Sequence, residues 1–266
     1  MQEAASAPTH RMAAVKLAAQ DLISFINASP SPFHAIAECA RRLDGAGYSR
    51  LSERDAAWPC VPGGKYYVTR GQSALVAFAV GGKFVPGNGF TIAAGHSDSP
   101  CLRVKPVSSL VKGGCLALGV ETYGGGIWHT WFDRDLSLAG RVVVEKPGGG
   151  AETRLVRIER PLCRVPTLAI HLDREVNSKF AVNAEAHLPP VLASAVEAAL
   201  QDPPQKEGGG GGGGRGVGPA GARHHAGLVR VLAEALGVEP AAVRDFELSL
   251  YDVQPGALGG LYEEHI

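Results

Sequence analysis

The stretch FTIAAGHSDSP, residues 90–100, indicates both the fold and the chemistry of this chain. It opens with an apolar run, residues 90–94, of the kind found in short strands buried on both faces. His96 follows at the carboxyl end of this run, where open α/β sheets bind ligands. Asp98 leans to the same side of an extended backbone and can accept a hydrogen bond from the imidazole nitrogen that does not face a metal. For so short a pattern, a histidine that only satisfies the polar end of a strand is the commoner explanation.

Two helices and two strands are predicted before this stretch. Apolar residues at three- and four-residue steps from Val15 onward share one face of a helix that ends near Asn27. The segment SPSP, residues 29–32, ends that helix and provides a serine cap and a first-turn proline for the next, which runs to Gly45. The strands are predicted at residues 65–70 and 74–80. Helices followed by buried strands indicate an α/β fold.

The composition and the apolar pattern of the sequence change after Lys105. The next sixty or so residues are glycine-punctuated and strand-like, and helical patterns follow at residues 190–200 and 227–236. We therefore expect a β-rich second domain at residues 106–245, between residues 1–105 and a return strand of the first domain at residues 246–266. A disordered glycine-rich loop is expected at residues 202–222, because seven consecutive glycines have no side chains to bury.

Composition limits the function classes. The 26 basic and 26 acidic residues cancel, which argues against a broad nucleic-acid or anionic-membrane surface. No apolar run is long enough to predict a membrane span, and the first residues do not read as a signal peptide. The five cysteines are scattered and contain no C-x-x-C pair, which is typical of a reducing compartment. We expect a cytoplasmic protein without nucleic-acid or membrane partners.

Other polar residues have plainer explanations than catalysis. Gly124–Gly126 predicts a tight turn rather than a phosphate cradle, since no strand-to-helix transition with a lysine follows it. Asp133 and Asp135 favour a surface or salt-bridge role over metal binding. His224 and His225 begin a helix and are expected to be solvated. The Glu263–His265 segment is expected to lie at the surface or to form a frayed terminus.

Six longer motifs resemble the aspartyl aminopeptidase family of two-zinc peptidases. They occur in order along nearly the whole chain: SPSPFHA (29–35), VGGKFVPGNGF (80–90), AGHSDSPCLRVK (94–105), VETYGGGIW (120–128), RVPTLAIHL (164–172) and DVQPGALGG (252–260). The resemblance implies an incomplete α/β/α zinc-peptidase domain with an inserted, mostly β oligomerisation domain. It also implies that His96 binds one zinc ion and that Asp98 is the catalytic aspartate that orients it. His171 would contact substrate in a neighbouring subunit; without the resemblance, a histidine on an apolar strand is more often a core residue.

The implied activity is removal of N-terminal Asp or Glu from peptides by a homo-oligomer assembled through the β domain. The family's bridging aspartate lies in an R-L-D-N segment, and this segment is absent from the chain. A catalytic zinc normally has at least three protein ligands, so His96 alone is expected to hold at most one zinc weakly, and the chain to be inactive alone. The alternatives are a non-catalytic, truncated isoform that acts through its oligomerisation domain and, less favoured, a small-molecule binding module.

Overall fold

The computed structural model describes residues 6–201 and 218–266, and the contacts within it divide the chain into two units. Unit 1 comprises Met1–Asp98 and Pro255–Ile266, and unit 2 comprises Ser99–Gln254. Both helices and sheets are present, as the sequence predicts. Among the described helices, none is long and apolar enough to cross a membrane.

Unit 1 contains two helices and a three-stranded sheet. Its elements are α1 (Ser6–Ala28), α2 (Pro32–Gly45), β1 (Ser49–Arg50), β2 (Lys65–Arg70) and β3 (Ala74–Ala79). The predicted cap of α2 is confirmed: the Ser31 side chain accepts a hydrogen bond from the backbone N–H of His34, and Pro32 begins the helix. These local signals set the start of α2.

An ion-pair network joins the two helices of unit 1. The Arg42 guanidinium contacts Glu38 of its own helix at 2.7 Å and Asp21 of α1 at 2.9 Å. Hydrogen bonds from Arg41, supported by those from Arg42, lower the pKa of the buried Glu38 carboxyl to about 2. Such charge-assisted contacts to a buried carboxylate are stronger than neutral hydrogen bonds and fix the pairing of α1 with α2.

The sheet of unit 1 has the order β1-β2-β3, with β1 parallel and β3 antiparallel to β2. The central strand is buried, and its Tyr67 hydroxyl donates to Asp44 of α2 at 2.8 Å. Burial, followed by this contact with Asp44, raises the pKa of Tyr67. No other strand of residues 6–201 and 218–266 pairs with β3, so β3 forms an edge of the sheet.

The predicted buried strand at residues 90–94 is wrong. The backbone from residue 80 to residue 100 forms turns and irregular structure, and Phe90 and Ile92 are 86% and 82% exposed. A strand requires a neighbour that satisfies its N–H and C=O groups. No strand within the described ranges pairs with residues 90–94, so the apolar run stays unpaired.

Unit 2 is built on an antiparallel six-stranded sheet of order β7-β6-β9-β4-β5-β8. The strands are β4 (Cys101–Lys112), β5 (Cys115–Tyr123), β6 (Leu136–Glu145), β7 (Ala151–Arg157), β8 (Val191–Ser194) and β9 (Val243–Asp252). The helices are α3 (Ala184–His187), α4 (Ala195–Gln201), α5 (Gly218–Gly221) and α6 (Ala226–Leu236). The apolar face of α6 joins Leu138, Val142 and Leu248 in one buried core.

Close contact between two central strands depends on a glycine. Gly140 of β6 lies opposite Leu248 of β9. A Cβ at this position would lie 2.1 Å from the carbonyl oxygen of Glu247, which is far inside van der Waals contact. Only glycine allows the two backbones to approach this closely.

The structure places the unit boundaries differently from the sequence-based expectation. Strand β4 begins before Lys105, and β9 runs across the expected boundary between residues 245 and 246. The first part of the expected return segment is instead part of a central strand of unit 2, because residues 243–252 pair with β6 along almost their whole length. Its second part, Pro255–Ile266, belongs to unit 1.

Two smaller predictions in unit 2 also need correction. The expected helix at residues 190–200 begins as strand β8, because Val191, Ala193 and Ser194 pair with β5 before α4 starts. Of the expected disordered loop at residues 202–222, residues 202–217 lie outside the described residues. Residues 218–222 are ordered, because Ala220 of α5 is fully buried in the core of unit 2.

Candidate active site

His96 and Asp98 are neighbours in space as well as in sequence. The Nδ1 atom of His96 lies 2.7 Å from the Asp98 carbonyl oxygen and 3.1 Å from its Oδ1 atom. These contacts require Nδ1 to carry the proton, which leaves the lone pair on Nε2 available to a metal. The His96 side chain is 80% exposed. The arrangement matches the orienting contact that the sequence suggests, while the catalytic and metal-binding roles remain predictions.

A second contact positions this irregular segment. The Ser97 side chain donates a hydrogen bond to the carbonyl oxygen of Ser73, which lies in the turn before β3. The segment that carries His96 is therefore attached to the sheet of unit 1, although it does not join that sheet as a strand. This contact limits where the imidazole can reach.

The described residues do not fit a complete zinc site. Within residues 6–201 and 218–266, no group of three or more His, Cys, Asp or Glu side chains could hold a metal ion. A catalytic zinc is normally bound by three protein ligands and an open position. The His96–Asp98 pair can contribute one ligand and its orienting partner, and it does not form a metal site by itself.

His171 lies in unit 2 on an exposed turn, and the expected apolar strand at this position is wrong. The backbone N–H of Leu172 donates to the carbonyl oxygen of Ala169, and residues 166–172 form no strand. His171 is exposed, which excludes the core-histidine explanation. Its role in binding substrate remains a prediction.

Most of the other polar residues have the structural roles expected from the sequence and no role in catalysis. Asp135 accepts a hydrogen bond from Arg164, and Asp133 accepts one from the backbone N–H of Thr167 at 3.0 Å. Hydrogen bonds from Thr167, through its side chain and then its backbone, lower the pKa of Asp133. Gly124 adopts a positive φ of 74° in the predicted turn.

Glu263 lies at the surface, as expected from the sequence. Its carboxylate accepts a hydrogen bond from Lys16 Nζ at 2.8 Å, which lowers its pKa. The Glu263–His265 segment is exposed throughout. A surface ion pair explains it without a role in catalysis.

The expectation that His224 and His225 are solvated is wrong for His224, which is 3% exposed. Its Nδ1 atom lies 2.7 Å from Ser108 Oγ, and its ring packs on Phe246 with centroids 4.2 Å apart. Burial lowers its pKa to about 4. The reason is an irregularity in β4, where the N–H groups of Ser108 and Ser109 bond the carbonyl oxygen before His224 instead of a neighbouring strand. No local sequence signal marks this irregularity.

His225 is also tied to the sheet. Its Nε2 atom lies 2.9 Å from the Ala117 carbonyl oxygen and 3.1 Å from that of Leu110. The residue stands at the N-cap of α6 without a side-chain bond to that helix. The pair therefore connects the start of α6 to β4 and β5, which is a structural and not a catalytic arrangement.

Residues 25–266 match the family model described as aminopeptidase I zinc metalloprotease (M18). The chain belongs to the M18 family. It is 47% identical to a probable aspartyl aminopeptidase from Ricinus communis over 258 residues, which cover 92% of this chain and 52% of that protein. The chain thus spans about half the length of this curated M18 relative.

Two solved structures share the fold. The cryo-electron microscopy structure of the Ape4 and Nbr1 complex matches with a TM-score of 0.84 and 43% identity, over 95% of this chain and 47% of that one. The Saccharomyces cerevisiae mApe1 dodecamer matches with a TM-score of 0.71 and 27% identity, over 92% of this chain and 50% of that one. The mixed helix-and-sheet fold that the sequence motifs imply is therefore confirmed.

Proposed function

We propose that this chain takes part in zinc-dependent removal of N-terminal Asp or Glu from peptides. The observation that carries the proposal is the contact between His96 Nδ1 and the Asp98 carboxylate, with the imidazole exposed. In this role the Asp98 carboxylate holds the Nδ1 proton, fixes the tautomer and makes Nε2 a better ligand. The preference for acidic residues rests on the name of the relative from Ricinus communis.

We further propose that residues 1–266 do not catalyse the reaction alone. The described residues supply a single candidate zinc ligand, His96, and a lone imidazole does not retain zinc against dilution. Bound zinc would polarise the scissile carbonyl and generate hydroxide. To that zinc site the described residues contribute one ligand, His96, and its orienting partner, Asp98.

Zinc content and aspartate release test both statements. The purified chain is loaded with zinc and dialysed, and metal content and cleavage of an Asp-initiated peptide are measured. We expect near-zero zinc and no cleavage. Cleavage that disappears with His96→Ala would contradict the proposed lack of ligands.

The aminopeptidase assignment is tested by a fusion. The half of the Ricinus communis relative that this chain does not match is joined to its end, and cleavage of Asp- and Leu-initiated peptides is compared. We expect cleavage of the Asp-initiated peptide, lost with His96→Ala and reduced about tenfold or more with Asp98→Asn. A folded, zinc-loaded fusion that releases no aspartate would refute the assignment.

We also propose that unit 2 mediates homo-oligomerisation and that His171 contacts substrate from a neighbouring subunit. The dodecameric relative and the exposed position of His171 support this. Light scattering gives the oligomeric state, and His171→Ala in the fusion should raise KM more than it lowers kcat. A cytoplasmic location, suggested by the scattered cysteines of the sequence, remains a prediction.

A non-catalytic role through unit 2 is the second candidate. Its support is that the large buried core consists entirely of unit 2 residues, so this unit does not need unit 1 for its interior. An oligomer of residues 1–266 that holds no zinc, and a fusion that remains inactive, would favour this role over catalysis.

A further inference from the structure

Unit 2 contains a cavity of about 590 Å³ between helix α4, strand β8 and the first turns of α6. Its apolar wall comes from β5, β8, α6 and the segment after β7, through Leu116, Leu162, Leu192, Leu228 and Val231. Leu162, Leu192 and Val231 pack against the buried core, so the floor of the cavity is the outer layer of that core. Cavities of this volume are typical of small-molecule binding sites.

Helix α4 does not fill this space, because it turns small side chains toward it. Ala195, Ala198 and Ala199 line the cavity, whereas Val196 and Leu200 are 73% and 72% exposed and lie outside its wall. A helix that only covered the core would bury its larger apolar residues on the inner face. The arrangement in α4 is the reverse, and it keeps a space beside the core.

Two arginines and one glutamate also line the cavity. Arg160 and Arg230 are exposed residues, which places their guanidinium groups at its opening and not on the apolar floor. The Arg160 side chain makes no hydrogen bond or ion pair with residues 6–201 or 218–266. Glu197 accepts a hydrogen bond from Gln201 of its own helix at 3.0 Å. With two cations against one anion, and with partial positive charge from the start of α6, the opening favours a negatively charged group.

We propose that this cavity binds a medium-chain fatty acid, with its hydrocarbon chain on the leucine wall and its carboxylate at Arg160 and Arg230. An amphipathic monoanion matches both parts of the site, because its apolar chain leaves water inside the cavity while its charged end meets cations at the opening. A compact anion would leave the leucine wall in water, and a neutral hydrocarbon would leave the arginines without a partner. The cavity lies within unit 2, so this inference is independent of the zinc chemistry proposed for His96.

Isothermal titration calorimetry of residues 1–266 with decanoate, kept below its micelle concentration, tests the proposal. We expect one bound molecule per chain. Octanoate is two methylenes shorter and should bind about fifteen-fold more weakly, since each buried methylene contributes a factor of about four to the affinity. Decan-1-ol should bind about tenfold more weakly than decanoate, because it lacks the charge, and decylammonium should not bind.

Substitutions assign the two parts of the site. Arg160→Gln and Arg230→Gln should each weaken the binding of decanoate about tenfold and leave the binding of decan-1-ol unchanged. Ala198→Phe places a ring in the cavity and should abolish the binding of both. The matched control Val196→Phe changes an exposed residue of the same helix and should bind decanoate like the unchanged chain. Circular dichroism shows whether each variant is folded.

Several results would overturn the proposal. These are absence of decanoate binding by the folded chain, equal affinity for decanoate and decylammonium, and binding that Ala198→Phe leaves unchanged. Tighter binding of a peptide that ends in Leu-Leu with a free carboxylate would overturn it in favour of a peptide ligand. A change of oligomeric state with Ala198→Phe, without decanoate binding by the unchanged chain, would overturn it in favour of a contact between copies. None of these results bears on the role of His96 in zinc binding.

Discussion

His224 makes the folding stability of unit 2 depend on pH. The ring is buried between β4 and Phe246, and its Nε2 atom has no hydrogen-bond partner in the described part of the chain. The titratable groups that face it are His225, Arg223 and Asp245, and the last two form an ion pair whose atoms are 3.1 Å apart. Protonation would add a positive charge that this surrounding compensates poorly.

The direction of the effect follows from the depressed pKa. The folded state holds His224 neutral down to about pH 4, whereas the unfolded chain takes up the proton near 6.5. The contribution of neutral His224 to the free energy of unfolding is therefore fully present above the unfolded pKa and is lost as the pH falls between these two values. The complete loss is about 3 kcal/mol, since each pKa unit corresponds to about 1.4 kcal/mol. At about pH 4.5 we expect roughly 2.5 kcal/mol to have been lost.

Urea unfolding of His224→Asn measures this quantity. The amide can keep the contact with Ser108 but cannot be protonated. With Trp58→Phe in both proteins, fluorescence from Trp128 and Trp131 reports unit 2 alone, because the chain has three tryptophans. Between pH 7 and 4.5, the free energy of unfolding of unit 2 should fall by about 2.5 kcal/mol more in the protein that retains His224 than in the His224→Asn variant. Equal losses, or a His224 NMR titration near pH 6.5, would refute the reasoning.

Three further changes have expected effects that urea unfolding can measure. Gly140→Ala should destabilise unit 2 by about 3 kcal/mol, because its Cβ would overlap a neighbouring carbonyl oxygen; Gly125→Ala, where no atom lies within 4 Å, should have little effect. Leu138→Ala should cost about 3 kcal/mol through the cavity it leaves, and a loss below about 1 kcal/mol would mean that the core closes around it. Ser31→Ala should destabilise unit 1 by about 1 kcal/mol by removing the cap of α2, and Ser31→Thr should largely retain it.

The elements whose signals are local were predictable from the sequence. Helix α2 begins where Ser31 and Pro32 indicate, because a cap and a first-turn proline act within a few residues. Helix α6 likewise follows from apolar periodicity, and strand β2 lies at the predicted residues 65–70. The contact between His96 and Asp98 was predictable because only one residue separates them.

The features that depend on distant residues could not be predicted. Residues 90–94 have the composition of a buried strand, but pairing requires a neighbour that composition does not provide. His224 is buried because of an irregularity in β4, more than a hundred residues earlier in the chain. The alternation of apolar residues along β9 indicates a strand, but it does not specify which strand is the neighbour. The assignment of β9 to unit 2 depends on its pairing with β6.

The position of β9 has a consequence for biosynthesis. It lies between β6 and β4, although both of these strands leave the ribosome well before it. Until β9 is made, β4 and β6 each expose a strand edge that can pair with another nascent chain. Contacts between residues so far apart in sequence also form slowly. Unit 2 should therefore depend on chaperones during translation, when aggregation competes with the insertion of its central strand.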